Sequence, residues 1–278
     1  MLRILITIII NCTAISYCMA QQLGYKSFKL LQDNQPFKIN TLFKTGDGYI
    51  YAGTTNGLYS FDGINFKKIS FSKSAIRDTV TAIFEDNTQQ LWAGFKSGRI
   101  AKKINGRLEY LQVEEGDPGV AITSFIQDKK NNIWFATNGE GIYYFNNNHL
   151  YLIDTANGLS DLHVRTLALT TNGDVLAATD QGVNICRLAD NKVTVQVIGP
   201  KNGLPDYYVT AITPAGNNSF WIGMQEKGFC LYDHNTGKNY HTTCKPKLEF
   251  WTGKQPAGIT KKFMDSLGRI RFIKTTRH

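Results

Sequence analysis

The chain has 278 residues, of which 42% are hydrophobic and 19% charged, and this balance excludes a disordered tail and a membrane helix bundle. With 25 glycines, 7 prolines and 12% aromatic residues, it favours many short strands and tight turns over helices. The net charge of +9 is concentrated at one end, because residues 238–278 hold ten basic and two acidic residues. The body of the chain is neutral, so charge does not indicate a nucleic-acid partner.

The first 20 residues have the three parts of a secretory signal peptide. Arg3 supplies the positive charge, residues 4–10 are an apolar run, and Cys18 and Ala20 place small residues before a cleavage site after position 20. The run is too short to span a bilayer, which requires about 20 apolar residues. We therefore expect a periplasmic or secreted protein with a mature chain of residues 21–278, and an uncleaved anchor is the alternative.

Three cysteines follow the signal segment, namely Cys186, Cys230 and Cys244. They are too few for a disulfide scaffold in an exported chain of this length. Cys230 and Cys244 flank a turn-like stretch and either pair across a hairpin or are buried thiols. No cysteine or histidine spacing matches a metal site, so we expect neither a metal nor a cofactor.

A unit of about 42 residues recurs along the mature chain. Its most regular part is a strand that carries one large residue, then a small residue, then a turn with glycine. The large residue stands at Tyr51, Trp92, Trp134, Leu176 and Trp221, with spacings of 41, 42, 42 and 45 residues, and a degenerate sixth copy places Arg271 there. A period of this length with strand-like content is typical of β-propeller blades.

Each unit predicts four antiparallel strands, so the fold class is an all-β propeller of four-stranded blades with about six units. The first strands fall at 80–84, 122–126, 164–169 and 209–213, the third strands at 58–61, 142–145 and 229–232, and the fourth strands at 66–70, 108–113 and 192–198. Each tryptophan lies in a second strand. We expect Trp92, Trp134 and Trp221 to be buried at equivalent positions between blades.

Three stretches carry a resemblance to a known family: VTAIFEDNTQQLWAG, AITSFIQDKKNNIWFATNGEGIYYF and NGLPDYYVTAI. They resemble the bacterial two-component regulator propeller repeat, in which an N-G-L-[SP] turn leads into a V-x-x-I strand, an Asp-containing turn and a W-[IA]-G-T strand. Residues 157–161 and 202–206 fit the lead-in turn. The resemblance extends from residue 25 to about residue 274. The departures are Leu176 in blade four, residues 213–216 in place of the Asp turn, and Arg271.

The resemblance implies propellers of seven blades, often in tandem, ahead of a membrane helix and a kinase. The chain is therefore expected to be an incomplete part of a seven-bladed or tandem propeller, within the sensor of a two-component signalling protein. A free-standing secreted propeller that acts as a binding or scaffold module is the alternative. The resemblance also implies a possible homodimer of the full-length sensor, and membrane contact only through downstream sequence.

One face of the propeller is expected to carry the ligand site. It is formed by the turns between second and third strands and by the links that enter first strands. The candidate residues are Asn56, Lys96, Asn138, Glu140, Asp161, His163, Asp180, Asp206, Tyr207, Tyr208, Gln225 and Glu226. Amides, mixed charges and tyrosines suit an oligosaccharide or another small polar ligand. The alternative is that they are ordinary solvated turn residues.

An enzymatic function has one candidate residue. His163 is the histidine on this face, with Asp161 and Asp206 as partners, and such a group would suit a propeller lyase or hydrolase. The sequence contains no G-x-S-x-G, H-E-x-x-H or phosphate-loop motif, so we expect a non-enzymatic sensor. The basic residues of 238–278 are expected either to bind an acidic glycan or anionic surface, or to belong to a divergent last blade.

Overall fold

The structure, a computed structural model, describes residues 31–32, 35–36, 38–72, 78–190, 192–236, 261–264 and 270–273. The predicted signal peptide, Cys244 and most of the basic stretch lie outside these residues. Within the described ranges the regular structure consists of strands and two short 3₁₀ turns. No helix in this part of the chain is long and apolar enough to span a membrane.

The strands form a series of antiparallel meanders. A hairpin of β1 (Leu31–Gln32) and β2 (Gln35–Pro36) comes first. Blade 1 contains β3 (Ile39–Lys44), β4 (Ile50–Thr54), β5 (Gly57–Phe61) and β6 (Phe66–Lys68). Blade 2 contains β7 (Val80–Glu85), β8 (Leu91–Phe95), β9 (Ile100–Ile104) and β10 (Arg107–Tyr110). Blade 3 contains β11 (Ile122–Gln127), β12 (Ile133–Thr137), β13 (Ile142–Asn146) and β14 (His149–Ile153).

The last blades follow the same order. Blade 4 contains β15 (Val164–Leu169), β16 (Val175–Thr179), β17 (Gly182–Ala189) and β18 (Lys192–Ile198). Blade 5 has three described strands, β19 (Val209–Gly216), β20 (Ser219–Met224) and β21 (Phe229–Asp233). A two-stranded sheet follows, with β22 (Lys261–Met264) and β23 (Ile270–Ile273), where the degenerate sixth unit was predicted. The all-β propeller with antiparallel blades is confirmed.

The first strand of each blade lies against the first strand of the next. These contacts join β3 to β7, β7 to β11, β11 to β15 and β15 to β19. The second strands of blades 2, 3 and 4 are buried along their whole length, whereas β18 and other fourth strands are largely exposed. Apolar side chains of adjacent blades therefore meet between the sheets, and this packing holds the blades in a radial order.

The N-G-L turns are explained by their hydrogen bonds. In the turn that enters blade 4, the Asn157 side chain accepts a bond of 3.0 Å from the Asp154 N–H, and Gly158 has φ +94°. Leu159 then enters the space between blades and is buried. The turn that enters blade 5 repeats this arrangement with Asn202, Gly203 and Leu204. Glycine is required because side chains rarely adopt this left-handed conformation.

A β-bulge recurs at the second residue of every first strand in blades 1 to 5. The register between first and second strands shifts there in all five blades. The bulged residues are Asn40, Thr81, Thr123, Arg165 and Thr210. In four blades this side chain donates a hydrogen bond to a backbone carbonyl, with distances of 2.6–3.2 Å. Blade 4 departs from this pattern because it has arginine there.

The expectation of three equivalent buried tryptophans is wrong for one of them. Trp92 and Trp134 are buried, but Trp221 is 42% exposed. The two buried indoles each donate a hydrogen bond to the aspartate six residues earlier, whereas Ala215 stands six residues before Trp221. A buried indole N–H requires an acceptor, and the turn of blade 5 does not offer an aspartate. The Trp221 ring instead packs edge-on against Phe229, with 5.5 Å between ring centroids.

Candidate functional site

The predicted turns and links lie on one face of the propeller, which we call the turn face. In blade 2 the Lys96 N–H donates to the Thr79 carbonyl at 2.9 Å, and in blade 5 the Gln225 N–H donates to the Tyr208 carbonyl at 3.0 Å. In blade 3 the Asn138 N–H donates to the link that enters the blade, and Asn138 also pairs with His163 of the next link. Backbone bonds thus fix this face, so its side chains project from a defined frame.

Four charged or polar side chains come together where blades 4 and 5 meet. Arg165 donates two hydrogen bonds to the Asp180 carboxylate, with Nε–Oδ1 at 2.7 Å and Nη2–Oδ2 at 3.1 Å. The Arg165 guanidinium also lies over the Tyr208 ring, 5.3 Å from its centroid. His163 is near enough to act on the charge of Asp180. We call Arg165, Asp180, Tyr208 and His163 the Arg165 cluster.

The geometry keeps the Arg165–Asp180 pair ionised and leaves Arg165 accessible. Burial alone would raise the pKa of Asp180, but hydrogen bonds from Arg165 and Tyr208 outweigh burial and lower it. Arg165 and Tyr208 each bond the Asp180 carboxylate, and that bond raises the pKa of both groups. The Arg165 side chain is 39% exposed, and that of Asp180 14%. The cluster therefore offers solvent a bidentate ion pair with an aromatic hydroxyl beside it.

Arg165 was not among the residues predicted from the sequence. The prediction considered turns and links, whereas Arg165 lies inside β15 and reaches the turn face because of its bulge. The signal that could have found it is the repeat itself. Aligned at the second residue of the first strand, the blades read Asn, Thr, Thr, Arg and Thr, so the arginine stands out. Bulges often redirect a side chain beside a functional site.

The His163 group has the partner expected from the sequence. His163 Nδ1 lies 3.1 Å from Asp161 Oδ1, and the same carboxylate oxygen accepts a bond of 2.7 Å from the His163 N–H. The ring is 53% exposed, so a ligand can reach it. The third member of the predicted group does not join them, because Asp206 Oδ2 accepts instead from the Glu226 N–H at 3.3 Å, in blade 5. His163 and Asp161 form a pair rather than a triad.

Several other predicted residues support the frame of the turn face. Asp206 also accepts from the Tyr208 N–H at 3.4 Å, so it holds the link that enters blade 5. Glu140 accepts from the Gly119 N–H at 3.2 Å and from the Tyr143 hydroxyl at 3.0 Å. Burial, followed by the bond to Glu140, raises the pKa of Tyr143 to about 12. These carboxylates have structural partners, and a ligand would compete with those partners.

The remaining predicted residues are distributed around the face. Tyr207 is 46% exposed, and one edge of its ring lies against Gly199. Asn56 contacts the Tyr59 hydroxyl and the Lys68 ammonium of its own blade, each at 3.3 Å. Lys96, Gln225 and Glu226 are exposed turn residues. Asn56 and Lys96 belong to blades 1 and 2, whereas the Arg165 cluster is built by blades 4 and 5.

Among the described residues, no three His, Cys, Asp or Glu side chains come together in a group that could hold a metal ion. Cys186 is buried, and burial raises the pKa of its thiol to about 12, so this thiol does not act as a nucleophile or metal ligand at neutral pH. The pairing of Cys230 with Cys244 lies outside the described residues. What the turn face offers is hydrogen bonding, an ion pair and exposed rings.

Repeated four-stranded blades with N-G-L turns define the molecule as a β-propeller with a polar turn face. The family described as "Two component regulator propeller" matches residues 116–139, which span the lead into blade 3 and its first two strands. This match confirms the resemblance drawn from the repeats. No curated protein matches the sequence.

Solved structures with the same fold include two extracellular domains from B. thetaiotaomicron. One belongs to BT3049, which is assigned to a hybrid two component system. Its sequence identity is 20% and the TM-score is 0.64, and the similarity covers 78% of this chain and 30% of that chain. The other belongs to BT4673, which is assigned to a one component system. Its sequence identity is 15% and the TM-score is 0.51, and the similarity covers 86% of this chain and 41% of that chain. This chain thus spans less than half the length of these extracellular domains.

A third similar structure is an enzyme. It is virginiamycin B lyase from Staphylococcus aureus, in a form inactivated by a histidine-to-alanine substitution, with quinupristin. The identity is 13%, the TM-score 0.61, and the similarity covers 90% of this chain and 88% of that chain. At these identities the likeness establishes the propeller fold. Extracellular domains of signalling systems and a lyase share this fold, so function depends on the residues of the site.

Proposed function

We propose that this chain is the extracytoplasmic ligand-recognition part of a two-component signalling protein, and that it binds a polar ligand of the oligosaccharide class at the turn face over the Arg165 cluster. The observation that carries the proposal is the bulged position of blade 4. Four blades place a threonine or asparagine there that bonds a backbone carbonyl, whereas Arg165 bonds Asp180 at an exposed surface. The arginine replaces the backbone bond of the other blades with an ion pair at the turn face and a contact with the Tyr208 ring.

The charge balance favours a neutral ligand. The Arg165 guanidinium and the Asp180 carboxylate neutralise each other, so a ligand with a strong charge gains little from the pair. A sugar hydroxyl can donate to the carboxylate and accept from the guanidinium at the same time. The exposed Tyr207 ring supplies an apolar surface of the kind that stacks on a sugar ring. The extracellular origin of the BT3049 and BT4673 domains supports the location outside the cytoplasm.

The test is calorimetric titration of the full chain with a panel of neutral tetrasaccharides, such as cellotetraose, xylotetraose and arabinotetraose. We expect at least one to bind and the Arg165→Thr variant to lose that binding, because threonine is the residue used in blades 2, 3 and 5. Lys130→Gln, an exposed turn substitution in blade 3, is the matched control. Binding that survives Arg165→Thr unchanged, or no binding by any saccharide, would contradict the proposal.

Lyase activity is the second candidate, because of the exposed His163–Asp161 pair and the shared fold with virginiamycin B lyase. Such a reaction requires a base within reach of the bound ligand, and His163 belongs to the Arg165 cluster. The same panel and quinupristin would be incubated with the chain and followed by mass spectrometry. Turnover that His163→Ala abolishes would establish the enzyme, whereas binding without turnover supports the sensor.

A further inference from the structure

A groove lies between blades 1 and 2, away from the turn face. It has a volume of about 690 Å³, within the range of small-molecule sites. Its walls come from the turn between the first two strands of blade 1, from the outermost strand of blade 1, and from the hairpin between β9 and β10 of blade 2. The residues that matter chemically are Asp47, Tyr49, Tyr51, Lys67, Lys103 and Arg107.

This groove differs from its equivalent between blades 2 and 3. There the indole of Trp92 bonds Asp86 and packs edge-on against Phe145, so the space is filled. Between blades 1 and 2, Tyr51 stands in the place of the tryptophan and Lys103 in the place of Phe145. The aspartate that accepts from the indole is replaced by Thr45. Ser60 likewise replaces Lys102, whose ammonium lies 4.3 Å from the centroid of the Trp92 ring, so in this groove the cation comes from the neighbouring blade.

Lys103 is held inside this groove without an ion pair of its own. Its Nζ donates to the Tyr51 hydroxyl at 2.5 Å and lies 5.0 Å from the centroid of that ring. Within the described part of the chain, Lys67, Lys103 and Arg107 form no ion pair within 4.0 Å. The carboxylate in the lining, Asp47, is engaged by the Thr45 hydroxyl and the Tyr49 N–H. With Lys68, the lining thus carries four cations against one carboxylate.

Lys68 also borders the groove, but its ammonium turns to Asn56 at 3.3 Å. Glu85, on the first strand of blade 2, accepts from the Gly46 N–H at 2.7 Å. Lys68 adds to the positive charge of the lining, and Glu85 is not among the residues that line the groove. Ser60, Ser70 and Asn105 add hydroxyl and amide groups, and Tyr49 adds a ring that is 44% exposed.

We propose that this groove is a second binding site, for an oligosaccharide that carries carboxylate or sulfate groups. The cations bind the anionic substituents, while the hydroxyl, amide and tyrosine groups suit the sugar ring. The site does not depend on the Arg165 cluster, which lies between blades 4 and 5. Its recognition chemistry also differs, because the groove is positively charged and the cluster is neutral.

The test is titration of the full chain with tetragalacturonate, a chondroitin sulfate tetrasaccharide, cellotetraose and sodium sulfate. We expect at least one acidic saccharide to bind at least about tenfold more tightly than cellotetraose or sulfate, and its binding to weaken as the salt concentration rises. Lys103→Met keeps the aliphatic contact with Tyr51 and removes the charge. Arg107→Gln changes an exposed residue and leaves the packing intact. Each is expected to weaken binding at least about fivefold.

Lys130→Gln and Arg165→Thr serve as controls for a cation elsewhere and for the turn face, and both should leave this binding unchanged. Denaturation midpoints verify that every variant is folded. Loss of acidic-saccharide binding in Lys103→Met and Arg107→Gln alone supports the proposal. Equal binding by all variants, binding of free sulfate as tight as that of the saccharides, or no binding of any acidic saccharide would overturn it. Loss in Arg165→Thr alone would also overturn it, by assigning the acidic saccharide to the turn face.

Discussion

The indole N–H of Trp134 donates a hydrogen bond of 2.8 Å to the carboxylate of Asp128, six residues earlier in the same blade. The other oxygen of that carboxylate accepts from the N–H groups of Lys130 and Asn132. One side chain therefore closes the turn between the first two strands and satisfies the buried indole. Trp92 and Asp86 repeat this arrangement in blade 2.

Replacing Asp128 by alanine leaves the indole N–H buried without this acceptor and opens the turn. We expect a loss of about 1–3 kcal/mol in the free energy of unfolding, measured by urea denaturation. The control is the same Asp128→Ala substitution made in the Trp134→Phe variant, because the phenylalanine ring has no N–H that requires an acceptor. There Asp128→Ala should cost less, because only the turn is affected. An equal cost in both backgrounds would show that the indole bond contributes nothing.

The exposed Trp221 predicts a difference between tryptophans that the repeat makes equivalent. Trp134→Ala should cost about 3–5 kcal/mol, because it empties a buried site. Trp221→Ala should cost much less, since 42% of the residue is already exposed. Acrylamide quenching of tryptophan fluorescence provides an independent measurement, and Trp221→Phe should remove the most quenchable component. Equal costs for the two alanine variants would mean that Trp221 is buried in solution.

Acid should weaken the hydrogen-bonded carboxylate of Asp86 in blade 2. Burial would raise the pKa of Asp86, but hydrogen bonds from Thr88 and Trp92 outweigh it and lower the pKa below its ordinary value. A lowered pKa means that the ionised carboxylate stabilises the fold above about pH 4, and that this contribution is lost as the pH falls through the folded-state pKa. The stability difference between the wild type and Asp86→Asn should therefore shrink between pH 6 and pH 3. A constant difference would contradict the bonded carboxylate.

Gly98 on the turn face should not tolerate alanine. Its φ is +90°, and an added Cβ would lie 1.4 Å from the Pro118 carbonyl oxygen, in the link that enters blade 3. Gly106 is the matched control, because its φ is +76° and an added Cβ meets no atom within 4 Å. Both substitutions strain the backbone, but only Gly98→Ala adds a clash. We expect a much larger drop in the thermal midpoint for Gly98→Ala, and equal drops would contradict the close approach of the link.

The stability of the Arg165→Thr variant is a separate prediction from its binding. Threonine at this bulge bonds a backbone carbonyl in blades 2, 3 and 5. The variant should therefore unfold within about 1 kcal/mol of the wild type, since the exposed ion pair with Asp180 contributes little to stability. Urea denaturation measures this directly. A loss above about 3 kcal/mol would show that Arg165 is needed for the fold.

The blades could be predicted from the sequence because their signals are local and repeated. The recurring large residue, the glycine turns and a period near 42 placed most first and third strands within one or two residues of the observed ends. The burial and the hydrogen-bond partners of individual side chains could not be predicted in this way. Trp221 stands at the repeated position of the tryptophans, but it is exposed, and Ala215 stands where the buried indoles have their aspartate. Asp206 fits the ligand face, but two backbone N–H groups engage it. Arg165 reaches that face through a bulge, which depends on the pairing of two strands.

At the recurring bulge, core packing and surface chemistry are carried by different residues of the first strand, whereas most strands must combine them. In blades 2 to 5 the residue before the bulge is buried, and the bulged residue itself is a threonine in three of them and Arg165 in the fourth. A substitution at the bulge therefore changes the group that a blade presents without changing the buried residue before it, as Arg165 does in blade 4. Proteins with this fold can therefore diversify what they bind while the architecture of the blades stays the same.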